Sequence, residues 1–143
     1  MSRPIHLADT NVLIGLTDPM SRFHQQAHAW LSTQQAVGWA TCPITENGFV
    51  RITTNPSYAS GQLSFPTSVQ LLRSLKSLNG YRFISDDYSL FEPDGEDFNI
   101  SGHNQVTDLY LLELARRHGM KLATFDHRTK FLPKAYQPFL ELL

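Results

Sequence analysis

Hydrophobic and polar positions alternate along this chain in two different periods, and the periods take turns. Ile5, Leu7 and Asp9 share one face of an extended segment, and the apolar run Val12, Leu13, Ile14 follows at once, which predicts a strand ending at Asp9 and then a helix. Residues 22–35 carry Phe23, Ala27, Trp30 and Leu31 at helical spacing, and residues 37–41 form a short strand segment closed by Pro43. Pro43 suits the first turn of the next helix, which holds Glu46, Phe49, Val50 and Ile52 and stops at Asn55-Pro56. Residues 66–78 place Val69, Leu72, Leu75 and Leu78 on one stripe and end at Asn79-Gly80, so a helix is expected there, followed by a strand over 81–85. An acidic loop with Pro93, Gly95 and Gly102 comes next, then a helix over 105–118 closed by Gly119, then a strand over 121–125 that runs into Asp126. Strands that alternate with helices make a mostly parallel sheet covered on both faces, and ligands bind beyond the carboxyl ends of such strands.

Composition supports this reading without adding to it. The chain has 143 residues, 41% hydrophobic and 17% charged, and no repeat or low-complexity run; one domain spanning 1–143 is expected. No run approaches the roughly 20 apolar residues of a membrane span, and Cys42 stands alone, which fits a reducing, cytoplasmic setting. A net charge of −1 excludes a protein that grips long nucleic acid by bulk charge. The charges are nonetheless polarised. Arg116, Arg117, Lys121, Arg128, Lys130 and Lys134 face only Asp126 in their stretch, whereas Asp86, Asp87, Glu92, Asp94, Glu96 and Asp97 have no base among them.

Four carboxylates occupy positions that structure alone does not require. Asp9 ends the first strand, although Asp-Thr-Asn is also a common helix cap. Asp108 leads an apolar stripe of Leu111, Leu112 and Ala115 at i+3, i+4 and i+7, with Glu113, Arg116 and Arg117 on the opposite face. A carboxylate aimed at the core side is costly unless a cation compensates it, although the helix dipole also favours an acid in the first turn. Glu46 has Phe49 and Val50 at i+3 and i+4, and equally suits a capping box; Asp126 ends a strand as Asp9 does, and equally suits a turn. Two strand ends and two helix starts meet at one edge of a parallel sheet, so the four acids are expected to converge there and to need a cation. Oxygen-only ligands favour Mg²⁺, with Mn²⁺ the alternative. His24 and His28, at i and i+4, lack a zinc motif around them and are expected on a plain solvated helix face.

The segments LADTNVLI around Asp9, TENGFVRITTNP around Glu46 and HNQVTDLYLLELARRHGMKLATFD over 103–126 resemble the PIN-domain ribonucleases, specifically VapC-type toxins of toxin–antitoxin pairs, and the resemblance spans almost the whole chain. It implies a three-layer α/β/α sandwich around a mostly parallel sheet, and an acidic quartet at Asp9, Glu46, Asp108 and Asp126 that binds metal and hydrolyses RNA. In that scheme Asp9, Glu46 and Asp108 hold Mg²⁺ and Asp126 serves as an outer or shared ligand. Thr10 and Asn11 position substrate or ligands, and Thr124 steadies a carboxylate. His127, Arg128 and Lys130 contact phosphates, with Arg116 and Arg117 extending that surface. The resemblance further implies a homodimer and a small VapB-type antitoxin, with no membrane and no small-molecule cofactor. The acidic stretch 86–97 has no place in that scheme. Two other readings stand beside it: a non-catalytic PIN-like domain that binds RNA or protein, and a haloacid-dehalogenase-type phosphatase, which wants an Asp where this chain has Asn11.

Overall fold

The computed structural model describes residues 3–93, 98, 100 and 102–143. Its elements follow in the order β1 (His6–Ala8), α1 (Thr10–Thr17), α2 (His24–Gln34), β2 (Trp39–Thr41), α3 (Pro43–Thr53), α4 (Phe65–Lys76), β3 (Tyr81–Phe83), α5 (Val106–Arg117), β4 (Lys121–Thr124) and β5 (Leu140–Leu142). Short 3₁₀ turns precede α5 and join β4 to β5. The five strands form one sheet in the order β3-β2-β1-β4-β5, and every pairing is parallel. The expected α/β sandwich with a parallel sheet is what the chain adopts. The strands are shorter than the hydrophobic runs that predict them, and β5 has no counterpart in the sequence reading.

Strand alternation sorts the core into two layers. Leu7 and Leu122 point to the face covered by α5, where they pack with Leu109, Leu111, Leu112, Leu114 and Ala115. Ala8, Trp39 and Ala123 point to the other face, against Val12, Leu13 and Leu16 of α1, Ala27, Trp30 and Leu31 of α2, Phe49 of α3 and Leu72 and Leu75 of α4. The layers are therefore unequal. Asp9 continues the Leu7 face, so its side chain emerges on the α5 side of the sheet.

Local signals end the helices where expected. Pro43 opens α3, and Gly80 and Gly119 adopt φ of 81° and 66°, a left-handed conformation that glycine reaches without steric cost. Glu113 does not lie on an open polar face. It is only 4% exposed and binds Arg116 and Arg117 through its carboxylate. His24 and His28 are not plainly solvated either. His24 Nδ1 lies 2.8 Å from the Gly15 carbonyl oxygen and His28 Nε2 lies 2.9 Å from that of Leu16. A carbonyl only accepts, so each ring donates, and the pair satisfies carbonyls at the end of α1 that have no helical partner. Of the acidic stretch, Asp94, Glu96 and Asp97 lie outside the described residues. Among the described residues no helix is long and apolar enough to cross a membrane.

Helices α1 and α3 meet at Gly48, where a Cβ would come within 2.6 Å of Thr10 Oγ1. Thr10 cannot withdraw freely, because its hydroxyl donates to the Thr45 carbonyl at 3.1 Å. Gly48→Ala is therefore expected to destabilise the fold by about 1–3 kcal/mol through overpacking, read as a lower urea midpoint with an unchanged slope.

Candidate active site

The carboxyl ends of β1 and β4 lie side by side. Ala8 is in register with Ala123, and the Asp9 amide donates to the Ala123 carbonyl at 2.9 Å, so the next residues, Asp9 and Thr124, become neighbours. Thr124 is fully buried, and its hydroxyl donates to Asp9 Oδ2 at 2.8 Å. Thr124 Oγ1 itself accepts from Asn11 Nδ2 at 3.0 Å and from the Asp126 amide at 3.0 Å. One hydroxyl thus fixes the first acid, its neighbour Asn11 and the backbone of the fourth acid. Asp9 Oδ1 accepts from the Thr10 amide at 2.7 Å, so Asp9 caps α1, as its Asp-Thr-Asn context allows. Asn11 Oδ1 accepts from the Phe125 amide at 3.1 Å. Thr124 steadies a carboxylate as expected, whereas Thr10 and Asn11 use their side chains to hold the frame.

Burial and charge treat the four acids differently. Asp9 is only 8% exposed, and desolvation pushes its carboxyl above the usual range; the bonds from Thr124 and Thr10 oppose this and the Asp126 charge adds to it. Asp108, in the first turn of α5, is pushed up to about 7, first by burial and then by the charges of Asp9 and Asp126. The cation that opposes this shift is Arg128, and among the described residues no hydrogen bond reaches the Asp108 carboxylate. Asp126 is held below the usual range, chiefly by Arg128, whose Nη2 lies 2.7 Å from Asp126 Oδ2 while its Nε lies 3.0 Å from Oδ1. These three acids share one electrostatic field.

Glu46 stands apart from them. It is not the capping-box residue of α3, because Thr45 fills that place and accepts from the Cys42 amide. Glu46 Oε2 instead accepts from Thr41 Oγ1 at 2.6 Å and from Tyr81 Oη at 3.3 Å, and Lys76 Nζ lies 3.0 Å from the same oxygen. The expected convergence of four acids on one ion is thus not preformed. Among the described residues no three His, Cys, Asp or Glu side chains stand close enough together to hold a metal. Lys76 and Tyr81 are the partners that sequence reasoning missed. Lys76 is the last residue of a helix and Tyr81 the first of a strand, and nothing local marks either as a partner of Glu46.

Two expected phosphate contacts adjoin this field. His127 and Arg128 are exposed beside Asp126. Arg116 and Arg117 are not brought there: they lie in the last turn of α5, about 12 Å along the helix from Asp108, and both bind Glu113. Chemically, the cluster offers oxygen donors alone. Among the described residues Asp108 is half-buried, shares its field with Asp9 and Asp126 and accepts no hydrogen bond, and oxygen donors of this kind suit a hard cation.

This fold and site belong to a recognisable class. Residues 7–135 match the family described as PIN domain, and the chain belongs to that family. Among its relatives, Ribonuclease VapC38 of Mycobacterium tuberculosis (strain ATCC 25618 / H37Rv) is 41% identical over 120 residues, 84% of each chain. Ribonuclease VapC39 of the same strain is 40% identical over 121 residues, 84% of this chain and 87% of that one. Within PIN domains the chain is thus of the VapC type. Among solved structures, VapBC2 from Rickettsia felis bound to a DNA fragment from their promoter shares the fold, with a TM-score of 0.63 at 14% identity over 96% of this chain and 98% of that one.

Asp108 also sets a pH dependence. A carboxyl whose folded pKa lies above its unfolded value binds more protons when folded, so stability falls as pH rises from about 4 through about 7 and stays reduced above that. In EDTA the urea midpoint is expected to fall over this window in the native chain, and Asp108→Asn should flatten that fall. An equal slope in both proteins would contradict the burial and repulsion assigned to Asp108.

Proposed function

We propose that this chain is a divalent-metal-dependent endoribonuclease, the toxin of a VapBC-type pair. Relatives at about 40% identity bear the name Ribonuclease VapC, and the site carries the reading through one observation: Asp108 is a half-buried acid whose neighbours are acids. Mg²⁺ or Mn²⁺ held there would offset these charges and would supply an activated water for hydrolysis of a phosphodiester. Asp9 and Asp108 would hold it directly. Thr124 keeps Asp9 Oδ2 in place, and the Thr10 amide occupies Oδ1, so the carboxylate cannot rotate away. Asp126 would join once Arg128 turns from it toward the substrate's phosphate, and Glu46 would act from farther out while Lys76 balances its charge. His127 is cast as a second phosphate contact.

The Rickettsia structure is a VapBC complex, which supports a VapB-type antitoxin as the partner here, and a homodimer in the cytoplasm completes the proposal. The phosphatase reading loses ground because Asn11 is committed to Thr124 and the Phe125 amide. The non-catalytic reading loses ground because all four acids are retained.

Incubation with structured RNAs in Mg²⁺ is expected to release fragments with 5′-phosphate and 3′-hydroxyl ends. EDTA, Asp9→Asn and Asp108→Asn should each lower the rate at least about a hundredfold, in line with the loss of a metal's charge stabilisation. Cleavage that survives in EDTA or in either variant would sink the metal mechanism.

A further inference from the structure

A groove of about 600 Å³ includes Asp126 in its lining, together with Asn11, Arg22, Phe23, Phe125, His127 and Arg128. It lies beyond the carboxyl ends of β1 and β4, and its size falls within the roughly 300–1,000 Å³ of ligand clefts. Its wall is a three-layer stack. The Phe23 and Phe125 rings lie 4.4 Å apart at 11°, and the Arg22 guanidinium covers Phe23 with its carbon 4.7 Å from the ring centroid. Phe125 is buried, Phe23 half-buried and Arg22 exposed, so the stack runs from core to solvent. Among the described residues no carboxylate forms an ion pair with Arg22. The stack is anchored from behind, because Asn11 holds the Phe125 amide and Gly15 lets α2 approach, its Cβ position being 3.1 Å from Ala27 Cβ.

We infer that this groove is a nucleobase subsite, in which an unpaired base next to the scissile phosphate stacks on the Arg22–Phe23 face. The inference rests on the nuclease reading for its substrate class and goes beyond it by naming where a base is held. Whatever phosphodiester reaches Asp126 must carry its neighbouring nucleotide past this wall. A flat cation backed by two stacked rings is a surface on which any base gains contact, whereas a duplex keeps its bases stacked internally and cannot use it. Asp126 lines the groove and is paired with Arg128, so its floor is mixed in charge, whereas the Arg22–Phe23 wall offers a flat face that suits a base, with His127 and Arg128 left for the phosphates.

The test separates stacking from charge. Anisotropy in calcium, with no magnesium or manganese, compares a random-sequence unpaired RNA ten-mer with a base-free ribose-phosphate chain of equal length and charge. The native protein is expected to prefer the base-bearing chain about tenfold. Arg22→Lys keeps the positive charge without the plane, so it should bind the base-free chain as the native protein does and lose the preference to within about twofold. Arg22→Ala should lose the preference and also bind the base-free chain more weakly. An undiminished preference in both variants overturns the subsite while leaving the nuclease reading intact. Preference lost in the variants of a protein that shows no metal-dependent cleavage upholds the subsite and removes the nuclease reading. No preference for the base-bearing chain in the native protein overturns the subsite, and the cleavage assay alone decides the nuclease reading.

Discussion

Everything at this site hangs on the Thr124 hydroxyl. It is buried at the end of β4, gives its one proton to Asp9 and accepts from Asn11 and the Asp126 amide. The bonds to Asp9 and Asn11 cross from β4 to the segment after β1 and exist because parallel pairing brings Ala8 beside Ala123, whereas the bond from the Asp126 amide is local to the end of β4. A buried Asp9 without that donor would carry an uncompensated charge. The register of two strands therefore sets the geometry of the acids more directly than any contact between the acids themselves.

The sequence made the elements legible wherever a hydrophobic period ran for two turns or more. Leu72 and Leu75, or Leu111, Leu112 and Ala115, report a buried helical stripe whatever packs on it, and Gly80 and Gly119 mark its ends. Strand β5 was missed because Leu140, Glu141 and Leu142 give a single alternation, too short to set a period. The ends of 3₁₀ turns are set by tertiary packing, which no local period records. Glu113 shows the limit of helical wheels. It falls on the polar side by spacing, yet is buried beneath its own arginines.

The site was legible as a list and less so as an arrangement. Asp9, Asp108 and Asp126 share one field because strand ends and the start of α5 meet at one edge, which alternation implies. Glu46 has an equally suggestive spacing, yet its surroundings come from Thr41, Lys76 and Tyr81, on β2, α4 and β3. Those contacts depend on how the far half of the sheet closes, and that information is not local. Arg116 fails for a simpler reason: its helix carries it away from the end that bears Asp108.

Compensation explains why the four acids are not equivalent. The charge of Asp9 is partly offset by hydrogen bonds, although burial still raises its pKa; Asp126 is matched by a two-pronged arginine and Glu46 by a lysine with two hydroxyls. Among the described residues Asp108 receives none of these, and the charges of Asp9 and Asp126 raise its cost of ionising. Removing Arg128 from Asp126 would shift further negative charge onto the same field, since Arg128 also opposes the rise at Asp108. The cluster is therefore short of positive charge by construction, and the shortage is centred on the acid with the fewest donors. A divalent cation, as proposed for this site, would relieve it more completely than protonation of Asp108 can, because a proton quiets one carboxylate whereas the charge of an ion acts on all three acids of the field.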